Sequence, residues 1–205
     1  PVASQVSKPA GAKTGATRWI AKREKKLAGY ATPFVFQADR APPQLIIAAS
    51  KHGLTSLDPK TGKMNWELAV LPHRVVGSAT IASGLIVAGS GGGGVGIRTV
   101  AVRPAVPGQQ AEPKVVYEIP KGTLPYVPVP ISYGSLLFLW FDKGVVSCLD
   151  APTGKVHWRE RIGGEFFGSP VCVNGRLYCI SREGEVVVLA AADKYQPLAR
   201  VKLGE

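Results

Sequence analysis

Short apolar runs separated by turn residues dominate this chain. Between residues 31 and 57 the runs PFVF, QLIIAAS and LTSL are broken by DRAPP and KHG. Between residues 166 and 189 the runs SPVCV, RLYCIS and EVVVL are broken by Asn-Gly at 174–175 and by Arg-Glu-Gly at 182–184. Runs of this length bounded by turn residues are typical of strands, and Asn-Gly is a strong hairpin signal. The pattern predicts antiparallel units of about four strands each.

The same pattern repeats along the chain. Residues 54–66 read LTSLDPKTGKMNW and residues 146–158 read VSCLDAPTGKVHW, so the two copies are 92 residues apart, which is twice 46. Trp19 lies 47 residues before Trp66, and 47 residues follow Trp158. A period of about 40 to 50 residues made of strands predicts propeller blades. The expected blades are approximately 20–66, 67–118, 119–158 and 159–205, with 1–19 as the outer strand of a preceding blade plus a basic arm.

Composition supports an all-β chain. Apolar residues make up 45% of the sequence, charged residues 19%, and there are 24 Gly and 17 Pro. This much Gly and Pro favours frequent turns over long helices. Residues 20–28, IAKREKKLA, are compatible with a short helix, a charged strand or a loop.

The shared D-x-x-T-G-K segment has the chemistry of a turn. Asp58 and Asp150 are placed to accept hydrogen bonds from the backbone amides that follow them. Gly62 and Gly154 can adopt the positive φ that other residues resist, and they leave a flat peptide face uncovered. The residue before each Leu-Asp pair is small, Ser56 or Cys148.

These residues resemble the repeat of pyrroloquinoline-quinone (PQQ) propellers, a superfamily that includes quinoprotein dehydrogenases and non-enzymatic members such as the outer-membrane assembly lipoprotein. The resemblance implies a tryptophan docking motif, in which the indole of one blade stacks on the glycine peptide of a neighbouring blade and donates its N–H to a backbone carbonyl. The implied docking residues form two matched sets: Asp58, Gly62 and Trp66, and Asp150, Gly154 and Trp158. The unit at 75–118 departs from the pattern, with an insertion at 104–113 and Val-Val-Tyr in place of the Trp strand, and the last unit is degenerate.

The resemblance also has implications for the function. Its enzymes hold PQQ with calcium, a catalytic Asp and often a pair of adjacent cysteines, but this sequence has no adjacent Cys pair and no acid pattern typical of a calcium site. We therefore expect no cofactor, no metal and no catalytic residue, and a scaffold that binds a protein or polymer partner. The resemblance implies a periplasmic or extracellular location. The alternative is part of a PQQ-dependent dehydrogenase whose ligands lie outside this chain.

Other candidate chemistry is weak. His52, His73 and His157 are expected at the surface without a carboxylate nearby, and Cys148, Cys172 and Cys179 match neither zinc nor redox spacing. The segment GSGGGGVGIR contains G-x-G-x-x-G, but a β-rich run follows it where a dinucleotide site requires a helix. A hairpin connection is the preferred interpretation, and a ligand-facing loop is the alternative.

The charge distribution indicates a second alternative function. The net charge is +11, and residues 1–30 contain seven Lys or Arg against one acid, Glu24. A basic segment can contact a polyanion, although it lacks the interleaved aromatic residues of a single-strand nucleic-acid groove. A solvated basic arm is preferred over a polyanion-binding module. The sequence contains no apolar run of about eighteen residues, so it predicts no membrane-spanning helix.

Four blades are fewer than the seven or eight that a ring of this superfamily usually contains. We expect two open blade faces, which exposed apolar surface and sheet edges make attractive to another chain. The expected partner is either the other half of a propeller or a second copy.

Overall fold

The computed structural model describes residues 5–7, 11, 13–23, 29–122 and 124–204. These residues form strands and turns, and none of them lies in a helix. Within this part of the chain there is accordingly no helix that could cross a membrane. Much of the basic arm, and residues 24–28 of the segment with three alternative predictions, lie outside the described residues.

In the described part of the chain, eighteen strands form one two-stranded and four four-stranded sheets. The two-stranded sheet pairs β1 (Gln5–Ser7) with β2 (Ala21–Arg23). Blade 1 contains β3 (Phe34–Phe36), β4 (Gln44–Ala49), β5 (Gly53–Leu57) and β6 (Met64–Leu68). Blade 2 contains β7 (Thr80–Ala82), β8 (Leu85–Gly92), β9 (Val95–Arg103) and β10 (Lys114–Glu118). Blade 3 contains β11 (Ile131–Tyr133), β12 (Leu136–Phe141), β13 (Val145–Asp150) and β14 (Val156–Arg161). Blade 4 contains β15 (Val171–Val173), β16 (Arg176–Ile180), β17 (Glu185–Ala190) and β18 (Pro197–Lys202).

Each four-stranded sheet is an antiparallel meander whose strands pair in chain order. The predicted all-β fold with about four propeller blades is therefore confirmed. The predicted blade limits follow the repeat of the outer, Trp-type strand, so they include the linker that precedes each sheet. The glycine-rich segment forms the β8–β9 hairpin, in which Gly91 pairs with Gly96.

Two rows of cross-strand partners recur in every blade, and they lie on opposite faces of the sheet. The first, here called the forward row, contains Phe34, Ile46, Ser56 and Trp66 in blade 1, Thr80, Val87, Ala101 and Tyr117 in blade 2, Ile131, Phe138, Cys148 and Trp158 in blade 3, and Val171, Tyr178, Val188 and Ala199 in blade 4. The second, the backward row, contains Val35, Leu45, Leu57 and Met64 in blade 1, Ile81, Ile86, Val102 and Val115 in blade 2, Ser132, Leu137, Leu149 and Val156 in blade 3, and Cys172, Leu177, Leu189 and Pro197 in blade 4.

The hydrophobic core lies between blades rather than within them. Ile46 and Trp66 of blade 1 share a cluster with Ile86 and Val102 of blade 2. The same kind of cluster joins the forward row of blade 2 to the backward row of blade 3, and that of blade 3 to blade 4. Because burial of apolar area is the main stabilising term, each blade depends on its neighbour for stability.

Candidate functional site

The two motif turns have closely similar geometry. Asp58 accepts hydrogen bonds from the amides of Lys60 at 2.6 Å and Thr61 at 3.1 Å. Asp150 accepts from the amide of Thr153 at 3.0 Å and from its hydroxyl group at 2.5 Å. The amide of Lys60 is the main reason that the pKa of Asp58 lies below its ordinary value. Both carboxylates are thus engaged in holding their own turns.

Gly62 supports the indole of Trp19, which precedes the first described blade. Gly62 has a φ of 75°, and a Cβ added to it would lie within 3.0 Å of three Trp19 ring atoms. The Trp19 indole donates its Nε1–H to the carbonyl of Pro59 at 3.0 Å. Only a residue without a side chain allows this stacking, because the ring occupies the Cβ position.

Gly154 supports Tyr117 of blade 2 in the same way. Its φ is also 75°, and an added Cβ would lie within 2.9 Å of three Tyr117 ring atoms. The Tyr117 hydroxyl group donates to the carbonyl of Ala151 at 2.6 Å. Burial, with the nearby Asp150 carboxylate, raises the pKa of Tyr117 to about 12. Tyrosine therefore makes the contact that the missing tryptophan of this unit would make.

Trp158 reaches blade 4, whose turn contains no glycine at the matching position. Its Nε1–H donates to the carbonyl of Ala192 at 3.0 Å. The ring of Tyr195 meets the indole edge-on, with the ring centroids 5.3 Å apart. An aromatic edge thus takes the place that a glycine peptide has in the other turns.

Trp66 differs, because its hydrogen bond stays within blade 1. Its Nε1–H donates to Oε1 of the fully buried Gln44 at 2.8 Å. The Gln44 amide in turn donates to the carbonyl of Ala105 in blade 2 at 3.0 Å. Ser56 donates to the same Oε1 at 2.7 Å, and Asn65 donates to the Ser56 hydroxyl group at 3.0 Å. Gln44 therefore links Trp66 to the insertion at 104–113 that replaces the turn of blade 2.

The structure brings each predicted glycine against an aromatic ring, but not against the tryptophan of its own motif. Trp19 and Tyr117 are the stacking partners, and the motif by itself links neither of them to a particular glycine. The 46-residue spacing contains this information, since Trp19 and Tyr117 occupy the Trp position of the unit before each glycine. Gln44 gave no signal, because a single glutamine among apolar residues matches no motif.

A polar cluster joins the N-terminal segment to blade 1. The Arg23 guanidinium donates to the Thr55 hydroxyl group at 2.5 Å and lies 3.6 Å from the Glu67 carboxylate. His52 Nδ1 lies 3.2 Å from the same carboxylate. Burial raises the pKa of Glu67, but hydrogen bonds from Thr55 and His52, together with electrostatic attraction to His52 and Arg23, outweigh that effect and hold the pKa below its ordinary value.

The expectation that His52 has no carboxylate nearby is therefore wrong. His52 precedes β5 and Glu67 lies on β6, so the pairing of these two strands brings together residues that are 15 apart in sequence. The cluster borders a cleft of about 390 Å³ that also contains Leu57 and Met64. His73 and His157 are exposed, as expected.

All three cysteines are free thiols. Cys172 pairs with Leu177 across the Asn-Gly hairpin. Cys148 lies opposite Trp158 in the forward row of blade 3, where Ser56 lies opposite Trp66 in blade 1. Burial raises the pKa of Cys148 and of Cys179 to about 12, so neither is an activated nucleophile.

The described residues do not fit the calcium site that PQQ chemistry requires. Calcium takes about six to eight oxygen ligands, whereas no group of three or more His, Cys, Asp or Glu side chains among the described residues is placed to share a metal ion. Asp142, a buried acid whose pKa burial raises, accepts hydrogen bonds from the amides of Tyr126 and Val127. These two hydrogen bonds anchor the linker between blades 2 and 3 to Asp142.

Comparisons with known proteins agree with this geometry. A family model described as outer membrane protein assembly factor BamB matches residues 127–195, which include blade 3 and much of blade 4. No curated protein matches the sequence. The resemblance to PQQ-like repeat propellers is thus confirmed.

Solved structures share the fold at low sequence identity. BamB from Moraxella catarrhalis aligns with a TM-score of 0.66 at 19% identity, over 92% of this chain and 54% of that protein. Sqt1 from Saccharomyces cerevisiae aligns with a TM-score of 0.71 at 12% identity, over 97% and 55%. Quinohemoprotein alcohol dehydrogenase from Comamonas testosteroni aligns with a TM-score of 0.66 at 12% identity, over 98% and 40%. The chain therefore spans about half the length, or less, of these propellers.

Proposed function

We propose that this chain is a non-catalytic propeller that binds a protein or polymer partner in the cell envelope or outside the cell. The observation that carries the proposal is that the motif residues are engaged in joining blades: the acids hold turns, the glycines support rings, and the aromatic side chains cross between blades. The matching family, described as an outer membrane protein assembly factor, supports a scaffold in the envelope.

The same contacts define the proposed role of the six predicted residues. The turn that contains Asp58 and Gly62 contacts the Trp19 ring, and the turn that contains Asp150 and Gly154 contacts the Tyr117 ring. We assign Trp66 and Trp158 to the same docking role toward blades 2 and 4, with Trp66 acting through Gln44. A rigid stack of blades is the scaffold on which a binding surface is held.

The proposed binding surface lies at the end of the blades where the linkers run. Phe167, in the linker between blades 3 and 4, is half exposed, and the Arg182 guanidinium lies 5.8 Å from its ring centroid. Arg182 also pairs with Glu165 at 3.1 Å. An exposed aromatic ring braced by arginine has the composition of a protein-binding hot spot.

A crosslinking experiment tests this surface. A photoreactive residue at position 167 should capture a defined envelope protein or polymer, which is then purified and titrated against the chain. Phe167→Ala should weaken that affinity by about tenfold or more, the usual size of a hot-spot loss. Tyr133→Ala is the matched control, because Tyr133 is an exposed aromatic residue at the opposite end of blade 3. Equal affinities of the two variants would contradict the proposed surface.

The alternative is part of a PQQ-dependent dehydrogenase, which the fold shared with quinohemoprotein alcohol dehydrogenase favours. Incubating the chain with calcium and PQQ should produce neither quinone absorbance on the protein nor dye-linked oxidation of alcohols or sugars. Turnover in this assay would overturn the scaffold proposal and establish the alternative.

A further inference from the structure

A narrow crevice lies between blade 2 and the linker that leads to blade 3. It is lined by Gly89 of β8 and Thr99 of β9, which are cross-strand partners. Each lies two residues along its strand from a member of the forward row, so both are on the forward face of blade 2. Four residues of the linker, between 125 and 130, also line the crevice. Its volume is about 10 Å³, which is close to what one water molecule requires.

The hydroxyl group of Thr99 is the unusual feature of this crevice. Thr99 is completely buried, and its Oγ1 has no hydrogen-bond partner among the described residues. A buried hydroxyl group without a partner is destabilising, and most such groups in folded proteins bond to protein atoms or to ordered water. Because the described part of the chain supplies no partner, we expect one from outside the polypeptide.

Backbone carbonyl groups surround the same space. A Cβ added to Gly89 would lie 3.1 Å from Thr99 Oγ1 and 3.8 Å from the carbonyl oxygen of Pro125. A Cβ added to Gly77, which also lines the crevice, would lie 3.1 to 3.5 Å from the carbonyl oxygens of residues 126–128. Neither glycine has a positive φ. What the two glycines share is the lack of a side chain, which leaves these oxygen atoms uncovered.

Blade 3 has a side chain in the equivalent space. Trp140 occupies the position in blade 3 that Gly89 has in blade 2, two residues after the forward row. Its indole is completely buried and meets the ring of Phe166, in the linker to blade 4, with the centroids 5.5 Å apart. Protein interiors are close-packed. Gly89 has no side chain to contact the linker, so a small polar molecule can complete the packing beside Thr99.

We propose that the crevice binds one water molecule, which accepts a hydrogen bond from the Thr99 hydroxyl group and donates one to the carbonyl group of Pro125. Water fits because the site combines a hydroxyl donor with carbonyl acceptors and is lined by no charged side chain among the described residues. A bridge of this kind is nearly as favourable in enthalpy as a direct hydrogen bond. The water joins blade 2 to the linker that Asp142 holds from blade 3. The site does not depend on the proposed binding of a protein or polymer.

Substitutions on both strands test the site. Relaxation dispersion of oxygen-17 in water counts the water molecules that stay bound for longer than the protein takes to tumble. Thr99→Val removes the hydroxyl group at nearly constant volume and should lower this count by one relative to the parent chain. Gly89→Ala places a Cβ 3.1 Å from Thr99 Oγ1 and should displace the same water molecule. Thr99→Ser keeps the hydroxyl group and should keep the water.

Gly92→Ala is the matched control, because Gly92 is on the same strand, has no positive φ and has open space around its Cβ position. It should leave the count unchanged. Circular dichroism checks that each variant is folded, and the two Thr99 variants decide the matter if Gly89→Ala is not. An equal count in the parent chain and in Thr99→Val would overturn the proposal. So would a melting temperature of the parent that rises in potassium chloride but not in tetramethylammonium chloride, since the carbonyl groups would then hold a cation.

Discussion

Blades 1 and 3 contain the same motif, yet their tryptophans make different contacts. Trp158 donates directly to the Ala192 carbonyl of the next blade, whereas Trp66 donates to Gln44 within its own blade. The position of Gln44 on β4 corresponds to Leu136 on β12. The difference comes from the following blade, because blade 2 has an insertion where the other blades have a short turn. A repeat motif therefore specifies its own turn, while the neighbouring unit determines what its aromatic residue contacts.

Among the substitutions that test this comparison, removing either tryptophan should destabilise the fold most. Trp66→Ala and Trp158→Ala should each lower the free energy of unfolding by about 3 to 5 kcal/mol, the usual cost of deleting a large buried aromatic side chain. Trp66→Ala should be the more damaging, because it also leaves the buried Gln44 carbonyl group short of a donor. Urea denaturation measures both values, with Tyr133→Ala as the exposed control. Melting curves identical to that of the parent would rule out the docking role.

Gln44→Leu gives blade 1 the residue that blade 3 has at this position. It should have the next largest effect on the free energy of unfolding. It removes the partner of the Trp66 N–H, the Ser56 hydroxyl group and the Ala105 carbonyl. Each buried polar group left without a partner costs about 1 to 3 kcal/mol. Leu136→Met, a change of similar volume in blade 3, should cost less than about 1.5 kcal/mol. If the two substitutions have equal effects on unfolding by urea, the amide contributes no more than its packing.

Glycine substitutions separate ring stacking from backbone strain. Gly62→Ala and Gly154→Ala should both destabilise the fold, since each adds a Cβ where a ring lies at a positive φ. Gly84→Ala is the matched control, because Gly84 has a φ of 76° but open space around its Cβ position. Strain of this kind costs about 1 to 3 kcal/mol, and displacement of Trp19 or Tyr117 adds to it. A control as destabilised as Gly62→Ala would show that the ring contributes nothing.

Whether a feature of this structure can be predicted from the sequence depends on whether its sequence signal lies within one repeat unit. The hairpin at Asn174 and the turns at Asp58 and Asp150 follow from local chemistry, and the strand pairing agrees with them. The stacking of Trp19 on Gly62 requires the repeat to be aligned across units, because the two residues belong to different blades.

Two features could not be predicted at all. The contacts of Gln44 depend on the path of the insertion at 104–113, which no repeat specifies. The carboxylate beside His52 is 15 residues away in sequence and reaches it only through the register of β5 and β6. Polar contacts set by tertiary packing carry no local pattern, whereas turns and alternating strands do.

The smallest expected effect concerns the joint in which tyrosine replaces tryptophan. Tyr117→Phe keeps the ring on Gly154 but removes the hydrogen bond to Ala151, which should cost about 0.5 to 1.5 kcal/mol at neutral pH. Urea unfolding measured at neutral pH gives this loss, and Tyr133→Phe serves as an exposed control.

Alkaline pH provides a second readout of the same joint. The pKa of Tyr117 rises from 10.0 in the unfolded chain to about 12 in the folded protein, so its contribution is complete below pH 10.0 and is lost as pH rises through about 12. The pKa values of Cys148 and Cys179 are raised from 9.0 to about 12. Their contributions to stability are therefore also lost as pH rises, beginning at a lower pH than that of Tyr117. Tyr117→Phe should therefore reduce, without abolishing, the decline of the unfolding free energy above pH 10.0. An unchanged slope would mean that the phenol ionises equally well in the folded and unfolded states, and that Tyr117 is not held against blade 3 as Trp158 is held against blade 4.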